Sequence, residues 1–562
     1  MDKGNSQTTQ INQPRHSSKR SLLGRIANYS LLLFLFVLLA GHESINPKIG
    51  DSHVDFYLDQ SKNLLEISAK ASLLNEQEVS SLQQQVQLLT NTFYKKRNYT
   101  PAWTMNFTGN EQLDTLISLI DSSLCFGIPQ QFINTFRITS LLDQLENHDF
   151  EENKIGQRIS LEIEATQSAL LLMTYFNRGI VQCDTSSSFY TYFNTLPGIL
   201  NMAMNNGVQK AILSQQPDIE HYNSIIKSLP NYISLQNTIR NAKGTITKSD
   251  LNSALNMTGY MTGKFDSLQT ISSVISDFQK KNNIQVSGIV NKTTIAMLGE
   301  VMDMHYQKIA LNIDRLRKAN VTSSEYLFVN IPEFKLYTYS QNKPEKEFVV
   351  VVGKRRTPTP TVNSSLNKII TNPYWTVPRS IARYELLPKI KADSTFMARN
   401  RYFIIDWKED VVDASELDWE SDDPFGKQYW LRQKYGGGNA LGKVKFVFPN
   451  NFRVYLHDTP SKRFFKRDYR AYSHGCVRVQ HPDELAQYLS DKYLSTLEDS
   501  VDIRKSIATR KRTEYAIEQK VDVHIQYITC KVNEEGSFIF FDDVYRKDKK
   551  ELEQLFGEIE AI

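Results

Sequence analysis

The segment Phe452-Arg453-Val454-Tyr455-Leu456-His457, followed after fifteen intervening residues by Ser473-His474-Gly475-Cys476-Val477-Arg478, decides how this chain reads. Successive side chains of a strand point to opposite faces. The first stretch therefore sets Phe452, Val454 and Leu456 on an expected core face and Arg453, Tyr455 and His457 on the other. In the second stretch His474, Cys476 and Arg478 share one parity and Val477 and Val479 the other. If that stretch is extended, one face carries an imidazole, a thiol and a guanidinium. Gly475 leaves room beside the thiol for a substrate backbone. Gln480-His481-Pro482-Asp483 then starts a helix, with proline in its first turn and Leu485 and Leu489 at i, i+4.

A thiol of ordinary pKa, ~8.5, attacks as its thiolate. A neighbouring imidazole takes the proton, a positive charge such as Arg478 favours the thiolate, and backbone N–H groups around Gly475-Cys476 suit an oxyanion. These are the parts of an acyl-transfer cysteine enzyme. The four cysteines, Cys125, Cys183, Cys476 and Cys530, form no CxxC pair. The spacing of His457, His474, His481 and Cys476 fits no common zinc pattern, and the reading calls for no metal and no cofactor. In an exported chain Cys125 and Cys183 are open to disulfide pairing, which sequence leaves undecided.

On either side the texture is that of strands. Tyr326–Ile331, Lys335–Tyr339, Phe348–Gly353 and Lys445–Phe448 are β-branched and aromatic. Val521–Thr529 and Gly536–Phe541 read as a last hairpin or edge, and Lys547–Ile562 as a charged helix or a disordered tail. Residues 379–438, rich in acids and closed by Gly436-Gly437-Gly438, read as an inserted lid on a flexible hinge. Lys443 and Lys445 read as a solvated strand face.

Upstream the pattern is helical. Leu82, Val86 and Leu89 have helical spacing, and the aromatics between Phe93 and Trp103 read as a packing corner. Ile271, Val274, Ile275 and Phe278 share one helix face, Gly288 breaks the chain, and Ile295 and Leu298 lie on a second short helix. At the N-terminus Lys19, Arg20 and Arg25 precede the apolar run Leu31–Ala40, extendable back to Ile26. This reads as a signal anchor or signal peptide, the positive flank staying in the cytoplasm and the rest exported. The 562 residues suffice for several domains, 40% are hydrophobic, and a net charge of +4 with dispersed basic residues gives no nucleic-acid footprint.

His457 together with Ser473-His474-Gly475-Cys476 resembles the signature of L,D-transpeptidase catalytic domains. The stretches Val351-Val352-Gly353-Lys354, Asn372-Pro373-Tyr374-Trp375, Asn439-Ala440-Leu441-Gly442 and Tyr455-Leu456-His457-Asp458 are similar to the large periplasmic, YcbB-type branch. The segment from Phe278-Gln279 to Leu298 resembles the small three-helix peptidoglycan-binding domain. The resemblance covers about residues 80–548. It implies an α+β multidomain chain: a helical scaffold (45–250), a peptidoglycan-binding-like unit (251–300), a linker helix (301–324), a β-rich catalytic domain (325–530, with lid 379–438) and a C-terminal extension (531–562). Residues 26–42 would be the anchor or signal peptide and 1–25 a cytoplasmic tail, placing the enzyme on the periplasmic side of the inner membrane.

The resemblance further implies ping-pong acyl transfer on peptidoglycan stem peptides, forming 3→3 cross-links. Cys476 carries over as nucleophile, His457 as base, and the carbonyl of Asp458 as orienter of His457. His474, Gly475 and Tyr455 carry over as support around the oxyanion site, and Trp375, Arg478, Ser473 and Asn439 as substrate contacts. Two alternatives stay open. One is a cysteine endopeptidase, carboxypeptidase or wall-protein attaching or releasing enzyme using the same acyl-enzyme. The other is an inactive wall-binding scaffold, against which the intact His457 and Cys476 argue.

Overall fold

The computed structural model describes residues 82–557 apart from 106–107, 148–150, 182–190, 262–270, 320, 322 and 495–501, together with residues 62, 63, 65 and 66. The expected anchor at 26–42 and Cys183 lie outside the described residues. Among the described residues no helix is long and apolar enough to cross a membrane. The chain divides into two compact units, one of residues 1–120, 134–171 and 190–211, the other of residues 121–133, 172–189 and 212–562.

The first unit is helical, with one short strand pair, β1 (Thr104–Met105) and β2 (Thr108–Gly109). The aromatic cluster is a packing corner: Phe93, Tyr94 and Trp103 are fully buried. Beneath it lies the carboxylate of Glu162, on the helix Glu151–Arg178. It accepts the backbone N–H groups of Ala102 (2.7 Å), Trp103 (2.9 Å) and Thr104 (2.8 Å) and the Tyr94 hydroxyl (2.8 Å). A buried charge persists only where its lone pairs are satisfied in this way.

In the second unit, Lys248–Met257, Ile271–Lys281 and Lys292–Arg317 are helices. The amide of Gln279 organises the turn between the last two. It accepts from the N–H groups of Ser287 (2.8 Å) and Gly288 (2.9 Å) and donates to the Ile289 carbonyl (3.0 Å). Ile295 and Leu298 lie not on a short helix but at the start of a 26-residue one. The expected boundary at 300/301 therefore falls inside continuous helix. The helix Glu220–Arg240 packs along it, with the Tyr232 hydroxyl on the Met302 carbonyl (2.9 Å). The expected end of the scaffold at residue 250 likewise falls inside a helix, Lys248–Met257.

The remainder is built on one sheet. Its strands are β3 (Tyr326–Asn330), β4 (Lys335–Ser340), β5 (Lys343–Gly353), β6 (Val362–Thr371), β11 (Val444–Val447), β12 (Leu456–His457), β13 (Ala471–Ser473), β14 (Val477–Val479) and β15 (Thr513–Gln526). Their order is β13-β5-β14-β12-β11-β6-β15-β3-β4. Because β4 also pairs with β5, the sheet closes into a barrel, and β13 branches from it. Leu327, Val350, Leu366, Phe446, Leu456, Val477 and Val523 fill the core. The helix Pro482–Tyr493 covers this core with Leu485 and Leu489, as its spacing predicts.

Several expectations change. Strand 452–457 shrinks to Leu456–His457: Arg453 turns the chain with φ 56° and Phe452 is exposed, not core. β15 is no edge, for it pairs with both β6 and β3. Residues 530–532 and 538–540 form the separate hairpin β16–β17. The tail is a helix, Asp548–Phe556, with Leu555 fully buried and Asp548 in an ion pair with Arg315 at 2.8 Å. The C-terminal extension also joins the catalytic core, which includes Val544 and Tyr545.

The insert is a small folded body. β7 (Trp375–Thr376), β8 (Tyr402–Ile405), β9 (Val411–Val412) and β10 (Trp430–Gln433) pair in the order β7-β10-β8-β9. Val377, Leu386, Leu387, Ile404, Phe425 and Leu431 are its own core. It opens at Trp375, paired with Gln433, rather than at 379. The triple glycine makes a tight turn, Gly436 at φ 120° and Gly438 at φ 85°, where a side chain would be strained.

Candidate active site

Strand register assembles the site. Directly paired residues of neighbouring strands face the same side. Arg478 pairs with Val351, His457 with Arg478, Lys445 with His457, Ile370 with Lys445, and Glu514 with Ile370. One row, Val351-Arg478-His457-Lys445-Ile370-Glu514, thus crosses six strands on the face away from the core. Tyr455 has the parity of His457, and its carbonyl accepts the Val477 N–H at 3.2 Å, which sets Cys476 beside it. The Tyr455 and His457 rings meet edge to face, centroids 5.5 Å apart.

Ser473-His474-Gly475-Cys476 is a turn between β13 and β14, not an extended run. Gly475 sits at φ 118°. A Cβ there would meet nothing closer than 3.7 Å, so backbone conformation rather than space requires glycine. The buried Ser473 hydroxyl donates to the Cys476 carbonyl (2.6 Å) and accepts the Gly475 N–H (3.1 Å). Ser473, expected at the substrate, braces the turn internally, and its hydroxyl engages the Gly475 N–H. Thr359 Oγ1 donates to the Gly475 carbonyl (2.8 Å), and the Tyr545 hydroxyl receives the Thr359 N–H (3.1 Å).

His457 is buried, not exposed, and its Nδ1 is hydrogen-bonded to the carbonyl of Asp458. A carbonyl only accepts, so Nδ1 carries the hydrogen and Nε2 of the neutral ring holds a lone pair. The Asp458 carboxylate accepts the N–H groups of Thr459 (2.7 Å) and Lys443 (2.8 Å) and bonds Lys462, fixing that carbonyl. Burial and then the Arg478 guanidinium hold the imidazole down to about 3. Burial pushes the Cys476 thiol up, against hydrogen bonds from Tyr455 and the charges of Lys445 and Arg478. Near neutral pH Cys476 is thus a thiol and His457 a neutral imidazole. Burial also raises the Tyr455 hydroxyl, which is hydrogen-bonded to Cys476 and Trp375.

The other expected residues divide between the neck of the insert and its contact with the thiol turn. The amide of Asn439 is fully buried and donates to the carbonyls of Pro373 (3.3 Å) and Lys434 (3.0 Å) while accepting the Leu441 N–H (2.8 Å). It ties the neck of the insert and has no capacity for substrate. Trp375 is half-buried, packed on the insert's core and bonded to Tyr455. His474 faces the insert: its Nε2 lies 2.7 Å from Glu385 Oε1 and 3.4 Å from Lys354 Nζ.

Sequence reasoning missed Glu385, Lys354, Thr359 and Tyr545, and it misread Lys445. The signal for Lys445 was present in the alternation Val444-Lys445-Phe446-Val447, which sets it off the core face. Only the pairing with His457 says what it faces. Cys125 and Cys530 are free thiols, as is Cys476. Among the described residues no three His, Cys, Asp or Glu side chains converge on a metal position.

Residues 324–503, which carry the part-buried thiol and the carbonyl-oriented histidine, match the family of L,D-transpeptidase catalytic domains. Residues 89–229 match the scaffold domain, so the chain joins the two in a YcbB-type architecture. A curated protein of Haemophilus influenzae (strain ATCC 51907 / DSM 11121 / KW20 / Rd), named "Putative L,D-transpeptidase", is 36% identical over 247 residues. That match takes in 43% of this chain and 48% of the relative, about half its length. A solved structure titled "Structure of the Ldtfm-avibactam carbamoyl enzyme" aligns with 53% of this chain and 98% of its own, at 9% identity and a TM-score of 0.16, too low to carry any argument.

Proposed function

We propose that this protein forms 3→3 peptidoglycan cross-links through a thioester on Cys476. The observation that carries the reading is the His457–Asp458 hydrogen bond, which leaves Nε2 free to take a proton on the face shared with Cys476. Cys476 Sγ attacks the carbonyl of the third, L-configured stem residue while its proton passes to His457 Nε2. That proton then goes to the nitrogen of the departing D-residue as the peptide bond breaks. The side-chain amine of a second stem attacks the thioester, gives a proton to His457, and the restored thiolate recovers it. Because resting thiol and imidazole are both neutral, the proton moves during attack rather than before it.

The exported location and membrane attachment belong to the same reading, and rest on the apolar run at 26–42. The three-helix unit would hold the wall polymer. Deleting it would cut the helix Lys292–Arg317 out of a buried core. The cleaner variant is Val286→Glu with Ile289→Glu, two exposed apolar side chains of that unit, expected to weaken co-sedimentation with purified sacculi. Unchanged sedimentation would remove the wall-binding role.

Incubation with a carbapenem followed by intact mass measurement tests the chemistry. A covalent adduct is expected on the native protein and none on Cys476→Ala; an adduct persisting on Cys476→Ala defeats the assignment. His457→Ala should slow acylation by ~10²–10⁴-fold, the usual worth of a general base. Muropeptide analysis of a host lacking 3→3 links separates transpeptidase from hydrolase. New 3→3 dimers support the proposal, and trimmed stems without dimers support the hydrolase.

A further inference from the structure

We propose that Lys445 is a positioning residue of the thiol site: directly across the sheet from His457 and seated on the ring of Tyr455, its ammonium group steadies that ring and gives the developing thiolate of Cys476 a positive neighbour. The inference rests on the reading of Cys476 as nucleophile.

Geometry carries it. β11 and β12 are antiparallel neighbours with Lys445 opposite His457. Such a pair shares a face, so the long side chain of Lys445 crosses toward the thiol rather than toward the core. Its Nζ stands 3.9 Å from the centroid of the Tyr455 ring, close to the optimum for a cation on an aromatic face. The same ring meets His457 edge on, and its hydroxyl is hydrogen-bonded to Cys476 and Trp375. Moving Lys445 therefore moves a ring that touches both the base and the nucleophile.

Charge supports the assignment. A surface lysine is usually paired or fully solvated. Lys445 is half-buried, and Glu514, the acid that bears on it, is already engaged by Lys368 at 2.8 Å and by Arg512. The groups facing Lys445 are thus Tyr455, His457 and Cys476, with Arg478 one strand beyond in the row and Lys368, Arg512 and Glu514 on the other flank. Burial lowers the ammonium's own affinity for its proton, and the Cys476 charge works against that. His457, held neutral, does not supply the counter-charge that an imidazolium would. Two cationic side chains, Lys445 and Arg478, take that place, and Arg478 is equally part-buried on the opposite side of His457.

The test is the pH profile of iodoacetamide alkylation at Cys476, resolved by peptide mass spectrometry so that the other thiols do not enter. It compares the full-length protein with Lys445→Met, Lys445→Gln and Lys445→Arg. Lys445→Met and Lys445→Gln are expected to move the profile upward by about one pH unit, equivalent to about tenfold slower alkylation at a pH below the thiol's own. Lys445→Arg should stay near the native profile. Thermal unfolding shows which uncharged variant is folded, and either suffices. An unmoved profile in a folded uncharged variant, or an equal shift in Lys445→Arg, overturns the inference. Native protein that fails to alkylate at Cys476 at any pH overturns the underlying nucleophile assignment, a result distinct from the other two.

Discussion

Gly442 and Asp458 are fitted to each other: a Cβ placed on Gly442 would stand 2.2 Å from Oδ2 of the Asp458 carboxylate. Gly442 also sits at φ 61°. Gly442→Ala must therefore displace the carboxylate whose carbonyl neighbour orients His457. We expect a destabilisation of ~1–3 kcal/mol, the scale of local strain, and a slower carbapenem acylation, checked by thermal unfolding and rapid mixing. Normal acylation would mean that His457 does not depend on this support.

The contact between His474 and Glu385 links the nucleophile turn to the insert. Both side chains are substantially exposed, 35% and 46%, so the pair should add little to global stability, on the order of 0–1 kcal/mol. Glu385→Ala is expected to leave the unfolding temperature nearly unchanged while raising hydrogen exchange in 382–386 and 473–476. Increased exchange confined to one of those segments would show that the contact does not couple them.

Asn439 satisfies backbone groups at the neck of the insert. Asn439→Ala leaves buried carbonyls without donors, a loss of about 1–3 kcal/mol. Limited proteolysis should then cut within 434–438 before the barrel unfolds. Wild-type resistance there would place the neck's rigidity elsewhere.

Four histidines are held neutral chiefly by burial: His457 near 3, and His221, His305 and His524 near 4. The unfolded chain binds protons at these groups around 6.5 and the folded chain does not. Their contribution is complete above about 6.5 and falls as the pH drops toward 4. Each adds up to ~1.4 kcal/mol per pH unit in that window. Urea unfolding between pH 7 and 5 should show stability decreasing on acidification, and His524→Asn should reduce the slope.

Much of the site was legible because chemistry and alternation coincide in short motifs. Val444–Val447 and Val477–Val479 announce a core face, so the opposite face follows. What was not legible depended on pairing. β6 contains Asn363, Ser364, Ser365, Asn367 and Lys368, and its polar texture hides a strand flanked by β11 and β15. Lys445 looked solvated because nothing local says that His457 stands opposite. Gly475 read as an opening for substrate, and the turn adds a demand of its own, its φ of 118°. Ser473 and Asn439 sit in motif stretches near the site, yet their hydrogen bonds go to backbone.

The position of β15 sets an order of assembly. Cys476, His457 and the side chains that touch them lie before position 480, yet the strand that joins β6 to β3 comes from 513–526, and Tyr545 then braces Thr359 beneath the nucleophile turn. A nascent chain already carrying His457 and Cys476 is still an open sheet with unpaired edges. The thiol motif and the strand that closes its barrel are thus separated in sequence, so the motif can be present in a chain whose barrel is not yet closed.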